Sequence, residues 1–230
     1  MSTIATRLDD VRQRIRDAAT KYGRPDSSIQ LLAVSKTRPA GDIRSALEAG
    51  QHRFGESYLQ EAIEKIQQLS GTQAEWHFIG RIQSNKTKII AEHFDWVHGL
   101  CSFKHARRLN DQRPQRLPPL KVCLQINLSN EGSKAGIAPE GAAELAGLIH
   151  ELPRLHLKGL MTLPAPAETV VQQRQPFQAL RKLRDRIKTG ALPLDTLSMG
   201  MSGDLEAAIA EGATIVRVGT AIFGPRNSRK

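Results

Sequence analysis

A lysine ends an apolar run in the stretch LLAVSKTRPA, residues 31–40. Leu32, Val34 and Lys36 share strand parity, so Lys36 points to the inner face of a strand while lying at its end. An amine in a partly desolvated site is held more readily in its neutral form, which adds to an aldehyde carbon. The alternative is a solvent-exposed lysine whose alkyl chain snorkels along the surface. This stretch alone leaves both interpretations open.

Two later stretches, SMGMSGD and VRVGT, combine hydroxyl side chains with glycine. The pairs Ser202-Gly203 and Gly219-Thr220 offer what a phosphate site needs, because small residues let backbone N–H groups approach an anion and hydroxyls donate to it. Ordinary turns use the same residue types, so each pair alone is also compatible with a plain turn.

Short apolar, β-branched runs typical of strands recur along the chain, with helical patterns between them. The eight predicted strands span residues 31–35, 52–55, 76–79, 96–100, 121–127, 157–163, 196–199 and 214–218. Such alternation predicts parallel βαβ units, and eight of these form a closed barrel. Near the N-terminus, Ile4, Leu8, Val11 and Ile15 share one helical face, which adds a further helix.

The predicted fold class is therefore α/β, a single (β/α)8 TIM barrel domain over residues 1–230 with an additional N-terminal helix. An open doubly wound sheet is the alternative, but neither G-x-G-x-x-G nor G-x-x-x-x-G-K-[ST] follows an early strand. In a barrel, the loops after strands seven and eight are the recurrent phosphate-binding position. The two hydroxyl and glycine pairs fall in these loops, which favours a phosphate site over plain turns.

Strand eight neighbours strand one in a closed barrel, so Lys36 is expected close to the phosphate site. A phosphorylated aldehyde that forms a Schiff base with lysine is pyridoxal 5′-phosphate (PLP). Arg217 on strand eight would then face the pyridine nitrogen and discourage its protonation, which makes the ring a poorer electron sink. The alternative for Arg217 is an ion pair with Glu56 or Asp204.

The composition is that of a soluble globular protein, with 40% hydrophobic and 24% charged residues. The formal net charge of +10 favours phosphate-bearing partners. Because aromatic residues make up only 4% of the chain and no nucleic-acid-binding signature occurs, we expect no specific nucleic acid. With no apolar run long enough to span a bilayer and no secretory signal, we expect a cytoplasmic protein without membrane contact.

Neither the cysteines nor the histidines form a metal motif. Cys101 and Cys123 stand on separate apolar segments without CxxC spacing, and the seven histidines are scattered without HExxH spacing. We expect two buried free thiols and no metal.

An ordered set of motifs resembles the YggS/PROSC family of pyridoxal phosphate homeostasis proteins. These motifs are AVSKTRP, FGESY, WHFIGRIQSNK, INLSNEGSKAG, GLMT and SMGMSGDLEAAIAEGATIVRVGTAIFG. The resemblance covers residues 31–224 and implies the barrel of the alanine racemase N-terminal domain, a fold type III PLP protein. It also implies PLP as cofactor on Lys36, and management of the free cofactor rather than a known reaction.

The resemblance assigns further residues to the cofactor. It implies that Ser202, Gly219 and Thr220 hold the phosphate and that Arg217 faces the pyridine nitrogen. Two other residues, Met201 and His77, are implied to line the pocket. One position departs from the family pattern, because FGENY is usual and this chain has FGESY, which leaves Ser57 with a shorter reach than asparagine. Strand five ends in INLSNEGSKAG, which adds Asn127 and Lys134 to the polar strand ends.

Three functions compete: a non-catalytic PLP carrier, a PLP-dependent amino acid racemase, and a nucleic-acid binder. The motifs and the site residues favour the carrier, with PLP and apo PLP-dependent enzymes as partners and a monomeric chain. In alanine racemases the second base is a tyrosine from a separate C-terminal domain of the partner subunit. Here the chain ends at Lys230 and Tyr58 is the one stand-in, so no efficient racemase activity is expected.

Overall fold

Eight strands alternate with helices in the computed structural model, which describes residues 3–128 and 135–225. The strands are β1 Gln30–Val34, β2 Arg53–Glu56, β3 Glu75–Phe78, β4 Trp96–Leu100, β5 Leu120–Gln125, β6 Leu155–Met161, β7 Thr196–Ser198 and β8 Ile215–Val218. Each strand pairs in parallel with the next one along the chain, and β8 pairs with β1 to close the barrel. The predicted α/β barrel is confirmed.

The helices lie outside the strands. They are α1 Ile4–Lys21, α2 Ala40–Glu48, α3 Leu59–Gln68, α4 Thr87–His93, α5 Phe103–Gln112, α6 Ala142–His150, α7 Val170–Ile187, α8 Leu205–Ala210 and α9 Thr220–Phe223. The predicted N-terminal helix is α1, which begins where the Thr3 hydroxyl accepts a hydrogen bond from the Thr6 N–H. Its buried stripe of Leu8, Val11 and Ile15 faces α8 and α9, as the apolar spacing predicts.

Two apolar layers hold the barrel together. The larger one fills the space between strands and helices, and the smaller one lies inside the barrel. The interior layer contains Leu32, Trp96, Cys123, Met161 and Ile215. Because Leu32 points inward, the parity argument also directs Val34 and Lys36 to the inner side of the wall.

The strand register places the carboxyl ends of β1 and β8 beside each other. Leu32 on β1 is paired with Arg217 on β8, and Ala33 with Val218. The loops after β7 and β8 therefore open at the same end of the barrel as the turn after β1. Observed strand limits differ from the predicted ones by at most two residues, as at β6, which begins at Leu155 and ends at Met161.

Candidate functional site

A cavity of about 260 Å³ opens at the carboxyl ends of the strands. Seven of the eight residues assigned to the cofactor from the sequence line it: Lys36, Ser57, Met201, Ser202, Arg217, Gly219 and Thr220. The remaining lining residues are Val34, Arg38, Ile79, Met161, Leu163, Gly203 and Gly224. Larger grooves border α3 on the outside of the barrel, but they do not contain Lys36.

Lys36 lies in a tight turn that begins directly after β1. The side chain is half-buried, and the next residue, Thr37, has a positive φ of 65°. A left-handed backbone at a non-glycine residue is uncommon, so contacts around the turn must hold it. The turn ends the strand and leaves Lys36 at the edge of the cavity.

The loop after β7 provides backbone donors at the cavity. Within the described ranges, the N–H groups of Ser202 and Gly203 have no hydrogen-bond acceptor. Arg14 of α1 donates to the Ser202 carbonyl at 3.2 Å and is paired with Glu206 at 2.8 Å, which ties this loop to the N-terminal helix. Such uncommitted N–H groups beside hydroxyl side chains suit an anion.

Close contact between β8 and β1 depends on Gly219. A Cβ there would lie 3.0 Å from the carbonyl oxygen of Val34. A larger residue would push the two strands apart, and it would move Thr220 away from the Lys36 side of the cavity.

Arg217 lies at the floor of the cavity with 4% of its surface exposed. Its guanidinium donates to the Ser198 hydroxyl at 2.7 Å and to the Thr162 carbonyl at 2.8 Å. Burial lowers the pKa of Arg217 to about 10, with the Asp204 charge acting in the opposite sense. The guanidinium therefore remains charged at neutral pH.

The alternative ion pair for Arg217 does not form in the described part of the chain. Glu56 instead pairs with Lys65 at 2.8 Å, outside the barrel wall. The carboxylate of Asp204 accepts from the Met201 N–H at 2.6 Å and so shapes the loop after β7. The charged guanidinium group of Arg217 therefore has no carboxylate partner among these residues, and Arg217 lines the cavity.

His77 is not brought to the cavity, contrary to its predicted place in the lining. It is fully buried inside the barrel, stacked on Trp96, with Nδ1 2.9 Å from Nε2 of His98. The reason is depth along the strand, because His77 is in register with Gly55 and Ile79, two residues later, reaches the cavity. Burial lowers the pKa of both His77 and His98.

The sequence reasoning names Met161 at the end of strand six but misses Ile79 and Leu163, the other apolar residues in this part of the lining. All three line the cavity, and each lies at or just beyond the end of a strand. Inward parity at the last residue of each strand was the signal available for finding them. Among the strand-five residues, Asn127 is described but does not line the cavity, and Lys134 lies outside the described residues.

Other chemical groups give no second centre in the described ranges. Cys101 and Cys123 are free thiols, and burial raises the pKa of Cys123 to about 12. No group of three or more His, Cys, Asp or Glu side chains within residues 3–128 and 135–225 is placed to hold a metal ion. Across the same residues, no helix is long and apolar enough to cross a membrane.

Comparison with known proteins identifies the family. The alanine racemase N-terminal domain model matches residues 6–227. The chain is 52% identical over 233 residues to the pyridoxal phosphate homeostasis protein of Escherichia coli K12, covering 100% of both chains. The chain belongs to the pyridoxal phosphate homeostasis protein family. The Pseudomonas aeruginosa protein of the same name is 54% identical, over 99% of this chain and 97% of its own.

Solved structures extend the family comparison. PipY of Synechococcus elongatus PCC7942, solved with PLP bound, superposes with a TM-score of 0.86 at 37% identity, covering 96% of this chain and 100% of PipY. Alanine racemase from Corynebacterium glutamicum gives a TM-score of 0.67 at 17% identity, covering 95% of this chain and 61% of the racemase. The likeness to alanine racemase shows that this homeostasis family member has the same barrel fold. It shows the fold alone.

Proposed function

We propose that this protein binds PLP covalently through Lys36 and maintains the supply of the cofactor, without efficient catalysis of its own. The observation that carries the proposal is the shared cavity, which is lined by Lys36, by the backbone donors of Ser202 and Gly203 and, at its floor, by Arg217. The PLP-bound structure of PipY, a relative at 37% identity, supports it.

The residues present fit the three parts of PLP. The loops after β7 and β8 would hold the phosphate through the N–H groups of Ser202 and Gly203 and the hydroxyls of Ser202 and Thr220. Ile79, Met161 and Met201 provide apolar walls for the ring. At the floor, the Arg217 guanidinium would face the pyridine nitrogen.

The chemistry at Lys36 is a condensation between an amine and an aldehyde. Bound PLP supplies the aldehyde, and attack by the neutral Lys36 nitrogen with loss of water leaves a carbon–nitrogen double bond. Arg217 holds two hydrogen bonds and a full charge, so it would repel a proton on the pyridine nitrogen of bound PLP. The same arrangement weakens the ring as an electron sink and supports a role in storage and delivery.

Delivery requires recipients. We propose apo PLP-dependent enzymes as partners of a monomeric chain that forms one barrel domain. A racemase-like activity is the second candidate, favoured only by the likeness of the barrel to alanine racemase. Mixing the PLP-loaded protein with an apo enzyme and following the enzyme's activity, with free PLP at the same concentration as reference, tests delivery. A rate no faster than that set by release into solution would contradict direct transfer.

The binding proposal is tested by borohydride reduction of the PLP-loaded protein followed by peptide mass mapping. We expect the phosphopyridoxyl group on Lys36, and its loss in Lys36→Ala. Lys88→Ala is the matched control, because Lys88 is exposed on α4 and does not line the cavity. Labelling of another lysine in place of Lys36 would overturn the assignment.

A further inference from the structure

Three charged side chains form a cluster behind Lys36, on the outer side of the barrel wall. Glu56 is the last residue of β2, and Glu61 and Lys65 lie four residues apart on α3. The side chains of Glu56 and Lys65 are 0% and 5% exposed, while Glu61 is 30% exposed. We call these three residues the α3 charge cluster.

The ammonium of Lys65 is fully committed within this cluster. Its three N–H groups meet three acceptors: Oε1 of Glu56 at 2.8 Å, Oε1 of Glu61 at 2.5 Å and the Ser35 carbonyl at 2.8 Å. One of these acceptors belongs to the residue directly before Lys36. The cluster is thereby bonded to the backbone of the turn that carries Lys36.

The two carboxylates complete the hold on that turn. Glu56 Oε1 accepts from the Ser35 hydroxyl at 2.6 Å, and Glu61 Oε1 accepts from the Thr37 N–H at 2.6 Å. Ser35 and Thr37 flank Lys36 on its two sides. The backbone that carries Lys36 is thus fixed by three charged groups on two elements, β2 and α3.

The position of the α3 charge cluster explains two energetic costs in this part of the fold. A non-glycine residue at φ 65°, as at Thr37, is disfavoured unless its surroundings impose it. Burying Glu56 and Lys65 is also expensive, and well-packed apolar residues often stabilise a fold as much as a buried ion pair. Apolar side chains could not make the hydrogen bonds to Ser35 and Thr37, so these bonds explain why charged residues occupy the three positions.

We propose that the α3 charge cluster is a positioning device that fixes the turn around Lys36 and aims its amine at the ligand aldehyde. The inference rests on the proposed function, since it concerns the same lysine. Glu56, Glu61 and Lys65 do not line the cavity, so they act through Ser35 and Thr37, the two neighbours of Lys36.

The test compares two ligands that differ only at the reacting carbon. PLP has the aldehyde, whereas pyridoxine 5′-phosphate has an alcohol there and cannot bond covalently to Lys36. In Glu61→Ala, which removes the acceptor of the Thr37 N–H, we expect PLP affinity to fall about tenfold, roughly the loss of one charge-assisted hydrogen bond. Affinity for pyridoxine 5′-phosphate should stay within about twofold, because the phosphate loops and Arg217 are untouched.

Matched variants separate positioning from stability. Glu61→Gln keeps an acceptor oxygen for Thr37 and should restore most of the PLP affinity. Glu64→Ala removes the same type of side chain from an exposed position on α3 and should bind both ligands like the wild type. Ser35→Ala, which removes the hydroxyl bond to Glu56, is the second variant if Glu61→Ala does not fold.

The possible outcomes distinguish the positioning role of the cluster from the proposed function of the protein. Unchanged PLP affinity in Glu61→Ala and Ser35→Ala, or equal weakening of both ligands, would overturn the positioning role. If borohydride labels no Lys36 in the wild type, the proposed function itself fails, and that result is independent of the variants. A loss confined to PLP, recovered in Glu61→Gln, supports the inference.

Discussion

The Arg217 guanidinium donates a 2.7 Å hydrogen bond to the Ser198 hydroxyl on the neighbouring strand. That hydroxyl lies 2.8 Å from Nδ1 of His98, and Nε2 of His98 lies 2.9 Å from Nδ1 of His77. Nε2 of His77 faces the Glu75 carboxylate at 3.7 Å. A chain of hydrogen bonds therefore runs through the barrel interior from the cavity floor to His77, whose Nε2 lies near the Glu75 carboxylate beyond hydrogen-bond distance.

The carboxylate sets the direction of this chain. A negative charge favours an N–H on the facing Nε2 of His77, which leaves Nδ1 of His77 as an acceptor. His98 then donates from Nε2 and accepts at Nδ1 from the Ser198 hydroxyl, while Ser198 accepts from Arg217. All donors point from Arg217 toward Glu75, so both rings are neutral and the guanidinium is held in one orientation.

Removing the hydroxyl of Ser198 should break this chain at its centre. In Ser198→Ala, the buried Arg217 and His98 each lose a partner, so the free energy of unfolding should fall by roughly 1–3 kcal/mol. Urea denaturation measures the change. The control is Ser45→Ala on the exposed face of α2, expected within about 0.5 kcal/mol of the wild type. A similarly small effect at Ser198 would show that the chain contributes little.

The buried histidines predict a dependence of stability on pH. Burial lowers the pKa of His77 and of His98, so an unfolded chain takes up protons at these rings that the folded chain refuses. The free energy of unfolding should therefore decrease as pH falls below about 6.5, by roughly 1.4 kcal/mol per pH unit for each ring.

Replacement of one ring isolates this effect. The slope of unfolding free energy against pH, measured by urea denaturation between pH 6.5 and 5, should be smaller in His98→Gln by up to roughly 1.4 kcal/mol per pH unit. His150→Gln, at the exposed end of α6, is the matched control and should keep the wild-type slope. Equal slopes in all three proteins would contradict the interpretation.

The sequence was sufficient for the barrel and for the residues at its carboxyl end. Alternating strands and helices predict strand order, and closure makes β8 the neighbour of β1, which the pairing of Leu32 with Arg217 confirms. Residues directly after strands, such as Lys36 and Ser202, are then placed without knowledge of side-chain packing.

The sequence pattern could not predict how deep a residue lies along its strand or how a helix is rotated against the barrel. His77 shares the inward parity of Ile79, and only the register of β3 against its neighbours decides which of the two reaches the cavity. Glu61 and Lys65 have the spacing of an ordinary surface ion pair on a helix. Their contact with the Lys36 turn depends on how α3 is rotated against β2, which a single sequence does not specify.

The phosphate loops predict a selective loss of affinity. The double variant Ser202→Ala/Thr220→Ala lacks both hydroxyls and should bind PLP at least about tenfold more weakly. The reason is that charge-assisted hydrogen bonds contribute roughly 1.5–3 kcal/mol each. Pyridoxal, which lacks the phosphate, should bind the double variant as it binds the wild type. Titration followed by the absorbance of the bound ligand measures both affinities. Unchanged PLP affinity would place the phosphate elsewhere.

The lining of the cavity argues against efficient racemisation. Racemisation removes the α-proton from one face of the bound amino acid and returns it on the other, which calls for two acid/base groups. In the described residues, the titratable side chains that line the cavity are Lys36, Arg38 and Arg217, and an arginine stays charged. Tyr58, the predicted stand-in for the second base, is 54% exposed and lies outside the lining.

Among the described residues that line the cavity, Lys36 is thus left as the one side chain suited to act as an acid or base. Incubating the PLP-loaded protein with L-alanine and following chirality should show negligible turnover, and Tyr58→Phe should leave that rate unchanged. The Lys36→Ala variant gives the background from free PLP. Turnover within the usual enzymatic range of about 1–10³ s⁻¹ would establish a racemase. In that case loss of the activity in Tyr58→Phe would identify the second base, which would have to reach the cavity by movement of the β2–α3 loop.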